Sequence, residues 1–331
     1  MKILVAVPEP LRSRILSPDA RIQLEALGTV SWNEDGRNWS GSELAAHLAG
    51  IEGLLTGWGI TRMDESALAG ADKLRIIGHS AGSVKGFLSP AVFDRGIVVT
   101  HAASRIADSV AEFTLTLALL GLKRPEYFSA QMHSGRQWEQ NSDLPLHEIA
   151  GRRVGILGCG YVGQRSARLF KAVGAQVWVY DPYLSAERVA ELGVVQIELE
   201  ALLRQCQIIS VHLPSTEQTY RLLSAEKFAL VQDGAIFINT ARSWVLDEAA
   251  LVAELANGRF WAALDVFEQE PLALDSPLRQ MPNVLLTPHI AGRTEESYAN
   301  LLGTVIQEFA RFASGLPLQF RVTRDMLATM A

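Results

Sequence analysis

Arg242, Glu270 and His289 stand far apart in the chain, in the settings INTARSWVLDE, DVFEQEP and TPHIAG. Their types complement one another. The planar guanidinium of an arginine can grip a carboxylate through two parallel hydrogen bonds. A histidine can pass a proton near neutral pH, and a glutamate beside it can orient the ring and keep it charged. Upstream lies a glycine-rich turn, GCGYVG at 158–163. Behind a turn that binds a dinucleotide, such a trio specifies hydride transfer to or from the carbon beside a carboxylate.

The turn belongs to RVGILGCGYVG, with Gly158, Gly160 and Gly163 in the order G-x-G-x-x-G. A bare pattern of this kind carries little weight. Here it follows an apolar strand-like run and opens a helix-like segment, QRSARLFKAV, which is the context the fingerprint needs. Gly158 permits the tight turn, Gly160 lets the backbone approach a pyrophosphate, and Gly163 allows close packing of helix on strand. The helix N-terminus then offers unpaired N–H groups to the phosphates. Asp181 lies 18 residues past Gly163, after QVWVY. An acid there accepts hydrogen bonds from ribose hydroxyls and repels a 2′-phosphate. No arginine follows among Pro182, Tyr183 and Leu184, so NAD is expected rather than NADP. Cys159, between the glycines, reads as a small buried side chain.

These residues need strands and helices to position them. The 331 residues suffice for two domains. Hydrophobic content of 48% with 20% charged residues suits globular cores. A net charge of -6 gives no reason to expect nucleic acid or an acidic membrane as partner. The opening ILVAV is too short for a signal-peptide core and reads as a first strand. No apolar stretch reaches the roughly 18 residues that span a bilayer. Two cysteines without metal-type spacing, Cys159 and Cys206, fit a reducing cytoplasm, and no metal site is expected.

Short apolar runs alternate with helical patterns throughout. Strands are expected at Ile3–Val7, Thr29–Trp32, Gly53–Thr56, Leu74–Gly78 and Ile97–Thr100, with helices such as Ala20–Leu27 and Glu43–Leu48 between them. The alternation predicts α/β architecture with parallel sheets. Ile106 to Lys123 reads as a long core helix joining two domains. Residues 126–150 read as irregular and polar, suited to packing against a second subunit. The rhythm restarts with strands at Arg153–Leu157, Gln176–Tyr180, Ile208–His212, Ala235–Asn239, Trp261–Asp265 and Val284–Leu286, and a final helix from Thr294 to Ser314.

The motifs GILGCGYVG, VHLPSTEQT, INTARSWVLDEAAL, AALDVFEQEP and NVLLTPHIAG together resemble the D-isomer-specific 2-hydroxyacid dehydrogenase family. The resemblance covers nearly the whole chain and is strongest from Gly151 to Gly292. It implies two doubly wound parallel-sheet domains. A Rossmann-type NAD domain, 103–294, would be inserted in a flavodoxin-like substrate domain of 1–102 plus 295–331. Domain closure and a homodimer are implied as well, with 126–150 as the natural arm. Arg242 would bind the carboxylate and keto oxygen of a small 2-oxo or D-2-hydroxy acid. His289 would be the proton donor or acceptor, and Glu270 would orient and charge it. Tyr161, Val162, Pro214, Thr240, Ala241 and Asp265 would complete the cofactor site, with Asp265 on the nicotinamide carboxamide. Backbone amides at Ala81 and Gly82 would hold the substrate carboxylate.

Some segments depart from the family pattern. GHSAGSVKG replaces the usual substrate loop, and HAASRIADSVAE replaces the common Asn-Thr-Pro opening of the interdomain helix. Ser243 and Trp244 follow the arginine where glycine is usual. Trp244 reads as a core aromatic, with a narrowed pocket as the other reading. His79, His101, Arg105 and Arg293 read as surface or structural side chains, though each could touch a substrate tail. Glu270 argues against formate dehydrogenase, which generally has glutamine there. A phosphoglycerate dehydrogenase with a regulatory domain is not expected, since no residues remain to build one. An NAD-sensing corepressor on the same fold is the alternative from another class.

Overall fold

The computed structural model describes residues 1–135 and 144–330. The middle of the expected 126–150 arm, 136–143, therefore lies outside the described residues. The chain divides into two compact units, Met1–Ala107 with Gly292–Ala331, and Asp108–Ala291. These divides differ slightly from the expected 102/103 and 294/295, for local reasons. The helix Ala103–Lys123 starts before the first divide, and Ile106 packs on the first unit's core. Ala291 is hydrogen-bonded to Asp265 of the second unit.

The first unit contains β1 (Lys2–Val5), β2 (Thr29–Trp32), β3 (Gly53–Thr56), β4 (Ile76–His79) and β5 (Val98–His101). They form one parallel sheet in the order β2-β1-β3-β4-β5, which is flavodoxin-like. Alternate residues feed opposite cores. Ile3 and Val5 join Leu55 and Ile76 on one face, and Leu4 joins Leu54 and Ile77 on the other. Both faces are covered, so these strands read as continuous apolar runs. The caps are local. Ser17 accepts from the Ala20 amide ahead of the helix Pro18–Ala26. Ser40 and Glu43 form a reciprocal capping box on Gly41–His47.

The second unit contains β6 (Arg153–Leu157), β7 (Gln176–Tyr180), β8 (Val195–Gln196), β9 (Ile208–Val211), β10 (Ile236–Asn239), β11 (Trp261–Leu264) and β12 (Val284–Leu286). All pair in parallel, in the order β8-β7-β6-β9-β10-β11-β12. This is the Rossmann order with one further strand. Phe237 points to one core, while Ile236 and Ile238 point to the other.

Several expectations need correcting. Residues 125–133 form a helix rather than irregular chain. Pro125 at its first position suits a helix start, and the helix buries none of its residues, so no apolar period announced it. The expected helix from Thr294 to Ser314 is two helices, Glu295–Ala299 and Leu301–Ala313. Asn300 interrupts them, its side chain donating to the Glu296 carbonyl. Two short strands were not expected, β8 and β13 (Arg321–Val322), the latter antiparallel to β5. Two-residue strands carry no alternation to read. No described helix is long and apolar enough to cross a membrane.

Candidate active site

Every candidate residue of the second unit follows a strand of one parallel sheet, at its carboxyl end. Gly158–Gly163 follows β6 and Asp181 follows β7. Pro214 follows β9, and Thr240 to Arg242 follow β10. Asp265 follows β11, and His289 lies just past β12. Parallel pairing puts these ends along one edge, where ligands of such sheets bind.

The glycine turn fits a dinucleotide. Gly158 has φ +91°, a left-handed conformation that favours glycine. A Cβ on Gly163 would fall 2.1 Å from the Gly158 carbonyl oxygen, so helix and turn approach as closely as the fingerprint requires. A Cβ on Gly160 would meet nothing within 4 Å, which leaves its backbone open to a pyrophosphate. The helix Tyr161–Ala172 begins there without a side-chain cap. Tyr161 is exposed and Val162 half-buried. Asp181 braces the turn: one oxygen accepts from the Cys159 amide at 2.7 Å, the other from the Tyr183 amide at 2.9 Å. Each oxygen keeps a lone pair for a ribose hydroxyl. Cys159 and Cys206 are buried free thiols, both pushed up to about 12 by burial.

The trio is assembled on three neighbouring loops. His289 Nδ1 lies 2.8 Å from Glu270 Oε2, and the other Glu270 oxygen accepts from the Phe267 amide at 3.1 Å. His289 is 45% exposed and has φ +53°, an unusual backbone for a residue with a Cβ. Asp265 holds it there. This carboxylate is fully buried and accepts from the Thr287 hydroxyl (2.6 Å), the Ile290 amide (2.8 Å) and the Ala291 amide (2.9 Å). Both of its oxygens are thus engaged on either side of His289.

Arg242 follows an Asn-centred turn. Asn239 accepts from the Ala241 amide and donates to the Arg242 carbonyl, each at 3.0 Å. The Arg242 guanidinium donates to the Ala241 carbonyl at 2.7 Å. Burial pulls its pKa down, and the negative charge of Glu270 opposes that. Ser243 donates to the Phe267 carbonyl at 2.7 Å, which ties the arginine loop to the glutamate loop. Thr240 is buried against Thr114 at 3.0 Å, and the Pro214 carbonyl accepts from Thr219.

Trp244 is not a core residue. It is 47% exposed, donates its indole N–H to the Thr216 carbonyl, and packs on Tyr220 with the rings tilted by 52° and centroids 4.6 Å apart. The short turn Ser243–Val245 gives the core position to Val245 instead.

The first unit carries the segment from Ser80 to Ser83 at the carboxyl end of β4. Ala81 is 1% exposed, whereas Gly82 and Ser83 are half-buried. His79 and His101 are buried beside it, in register on β4 and β5. Arg105 donates to the Glu296 carbonyl, and Arg293 is exposed.

Sequence reading missed three supporting groups: Asn239, Thr287 and the hydroxyl of Ser243. An Asn whose side chain accepts from the amide two residues on is a turn signature, so Asn239 had a signal. Ser243 and Thr287 had none, because their partners are distant in sequence.

Residues 115–291 match the D-isomer specific 2-hydroxyacid dehydrogenase family, NAD binding domain. NAD is therefore the cofactor of this unit. Over 260 residues the chain is 34% identical to a D-3-phosphoglycerate dehydrogenase of Archaeoglobus fulgidus, covering 78% of this chain and 49% of that protein. The chain spans about half the length of the curated relatives it matches first. Among solved structures it is similar to a phosphoglycerate oxidoreductase from Rhizobium etli (26% identity, TM-score 0.82, covering 98% of this chain and 99% of that one). It is also similar to D-lactate dehydrogenase from Aquifex aeolicus, solved with NAD and lactic acid (25% identity, TM-score 0.74, covering 95% and 96%). A parallel NAD-binding sheet with the trio at its carboxyl edge, and a family match over more than half the chain, lead to one conclusion: the chain belongs to the D-isomer specific 2-hydroxyacid dehydrogenase family.

Proposed function

We propose that the protein is an NAD(H)-dependent oxidoreductase interconverting a small 2-oxo acid and its D-2-hydroxy acid. The observation that carries this reading is the 2.8 Å contact between His289 Nδ1 and Glu270 Oε2 on the NAD-binding unit. With Nδ1 held by the carboxylate, Nε2 is left to give a proton to the substrate oxygen or to take one from it. When bound, NADH would supply the hydride to the oxo acid, and NAD⁺ would receive it from the hydroxy acid. Arg242 holds the carboxylate and keto oxygen, and amides around Ala81 and Gly82 add further donors to the carboxylate. Relatives named for 3-phosphoglycerate and lactate support small hydroxy acids as the substrate class.

The direct test is NADH oxidation with glyoxylate, hydroxypyruvate, pyruvate, phenylpyruvate and 3-phosphohydroxypyruvate in parallel. Turnover of at least one acid is expected, and silence with all of them overturns the reading. We also propose a homodimer working in the cytoplasm. The helix Pro125–His133 buries none of its residues and leaves Tyr127 and Met132 exposed, which suits an arm that a second subunit covers. Light scattering should return twice the chain mass; a monomer at micromolar concentration removes the arm.

A further inference from the structure

Two buried histidines of the first unit have no part in the proton transfer proposed above. His79 ends β4 and His101 ends β5, and the two are paired in register. Thr56 Oγ1 lies 2.9 Å from His79 Nδ1, and the ring packs on Phe87 at 4.4 Å. The Ser83 backbone acts on the same ring and raises its pKa, against the larger effect of burial. His101 Nδ1 donates to the Gly82 carbonyl at 3.4 Å. One residue earlier, the Ala81 carbonyl accepts at 3.2 Å from the Ala102 amide, which it shares with the His79 carbonyl at 3.1 Å. Consecutive carbonyls at 81 and 82 are thus pinned from the strand side.

That pinning has a geometric consequence. A peptide unit is planar and trans, so its N–H points away from its C=O. Carbonyls fixed toward the strands turn the amides of Gly82 and Ser83 the other way. Among the described residues neither of these amides donates to any acceptor. Successive free amides of this kind form a concavity suited to an anion. A neutral ring suffices for such a pin, since one imidazole N–H is enough to hold a carbonyl. Burial keeps both neutral: His79 is depressed to about 3, with His101 adding to the effect, and His101 is lowered in its turn.

We propose that His79 and His101 are positioning residues that lock the loop 80–84 so that its amides, centred on Ser83, face the substrate carboxylate. This rests on the proposed reading of that loop as a carboxylate contact. It moves the centre of the contact from Ala81, which is sealed, to Gly82 and Ser83, which are not. The histidines touch no substrate and act through the backbone.

The test pairs variants that lose the donor with variants that keep one: His79→Leu against His79→Gln, and His101→Leu against His101→Asn. Two quantities are read, the steady-state constants for the acid turned over best in the panel above and the hydrogen exchange of the Ala102 amide, which donates to the loop. The leucine variants should raise KM about tenfold while kcat stays within about twofold, as for lost uniform binding. They should also speed Ala102 exchange and leave NADH affinity unchanged. The glutamine and asparagine variants should recover most of the loss. Unchanged KM and exchange in the leucine variants overturn the proposal, as does equal damage from both members of a pair. If the leucine variants do not fold, Thr56→Val, which frees the His79 ring, should shift both readouts the same way, and no shift overturns the proposal. A wild-type protein inactive on every acid defeats the functional reading instead, and the exchange measurement still decides whether the histidines hold the loop.

Discussion

The loop that carries His289 and the loop from Ser80 to Ser83 both follow parallel strands, and both are pinned by buried polar side chains. In the second unit a buried carboxylate, Asp265, grips amides and a hydroxyl so that a side chain, His289, is presented. In the first unit neutral imidazoles meet the loop's backbone so that amides are presented. An acid is the natural pin where amides must be held, and an N–H donor where carbonyls must be held. The choice of pin therefore reveals which backbone groups are left free for a ligand.

The largest effect separating the two loops should come from His289→Ala. Removing the proposed proton-transfer group should lower kcat by about 10²–10⁴, whereas the first-unit variants leave kcat nearly intact. NADH fluorescence should still report binding, since the glycine turn and Asp181 are untouched. Substantial turnover by this variant would move the acid–base role elsewhere.

Asp265→Ala comes next. It leaves the buried Ala291 amide without an acceptor, at about 1–3 kcal/mol, and two part-buried donors, the Ile290 amide and the Thr287 hydroxyl, at less. It also releases His289 from its positive φ. A fall in kcat of about 10–100-fold together with a clear drop in melting temperature is expected. A drop in melting temperature with unchanged kcat would show that Asp265 holds the fold but not the histidine.

The trio was legible in the sequence because its chemistry lies in side-chain types set in compact motifs. Asp181 was legible because its distance from the glycine turn is constrained by one strand–helix–strand unit. The free amides near Ser83 were not. Which of them face outward depends on His79 and His101 meeting across β4 and β5, and that register exists only in the folded sheet. Trp244 misled for a related reason. A large aromatic favours burial, but neighbouring Val245 took the inward place on the turn. The helix Pro125–His133 was invisible because it buries no face in its own unit.

Acid should test both units in one window. His79 in the first and His212 in the second are each depressed to about 3 by burial. Unfolded histidines protonate near 6.5, so below that pH the unfolded chain binds more protons than the folded one. Stability contributed by keeping these rings neutral is complete above pH 6.5 and is lost as pH falls toward 3. Between pH 6.5 and 5 the loss should be about 2 kcal/mol for each ring. Carboxylates begin to protonate toward the lower end of that interval, so the histidine share is read by comparing the slope with that of a variant. His212→Gln should flatten the slope, and an unchanged slope would mean the ring is already solvated.

The smallest effect belongs to Ser243, where the comparison narrows to one hydroxyl. Its 2.7 Å bond to the Phe267 carbonyl links the Arg242 loop to the loop whose Phe267 amide steadies Glu270. The N–H and C=O of Phe267 thus join the arginine to the glutamate–histidine pair through one residue. A partly exposed neutral hydrogen bond contributes about 0.5–1.5 kcal/mol, so Ser243→Ala should lower kcat/KM by about two- to tenfold, and Ser243→Thr, which keeps the hydroxyl, should lose less. If alanine and threonine behave alike, the two loops are held by packing alone, and the tie between Arg242 and Glu270 is electrostatic rather than mechanical.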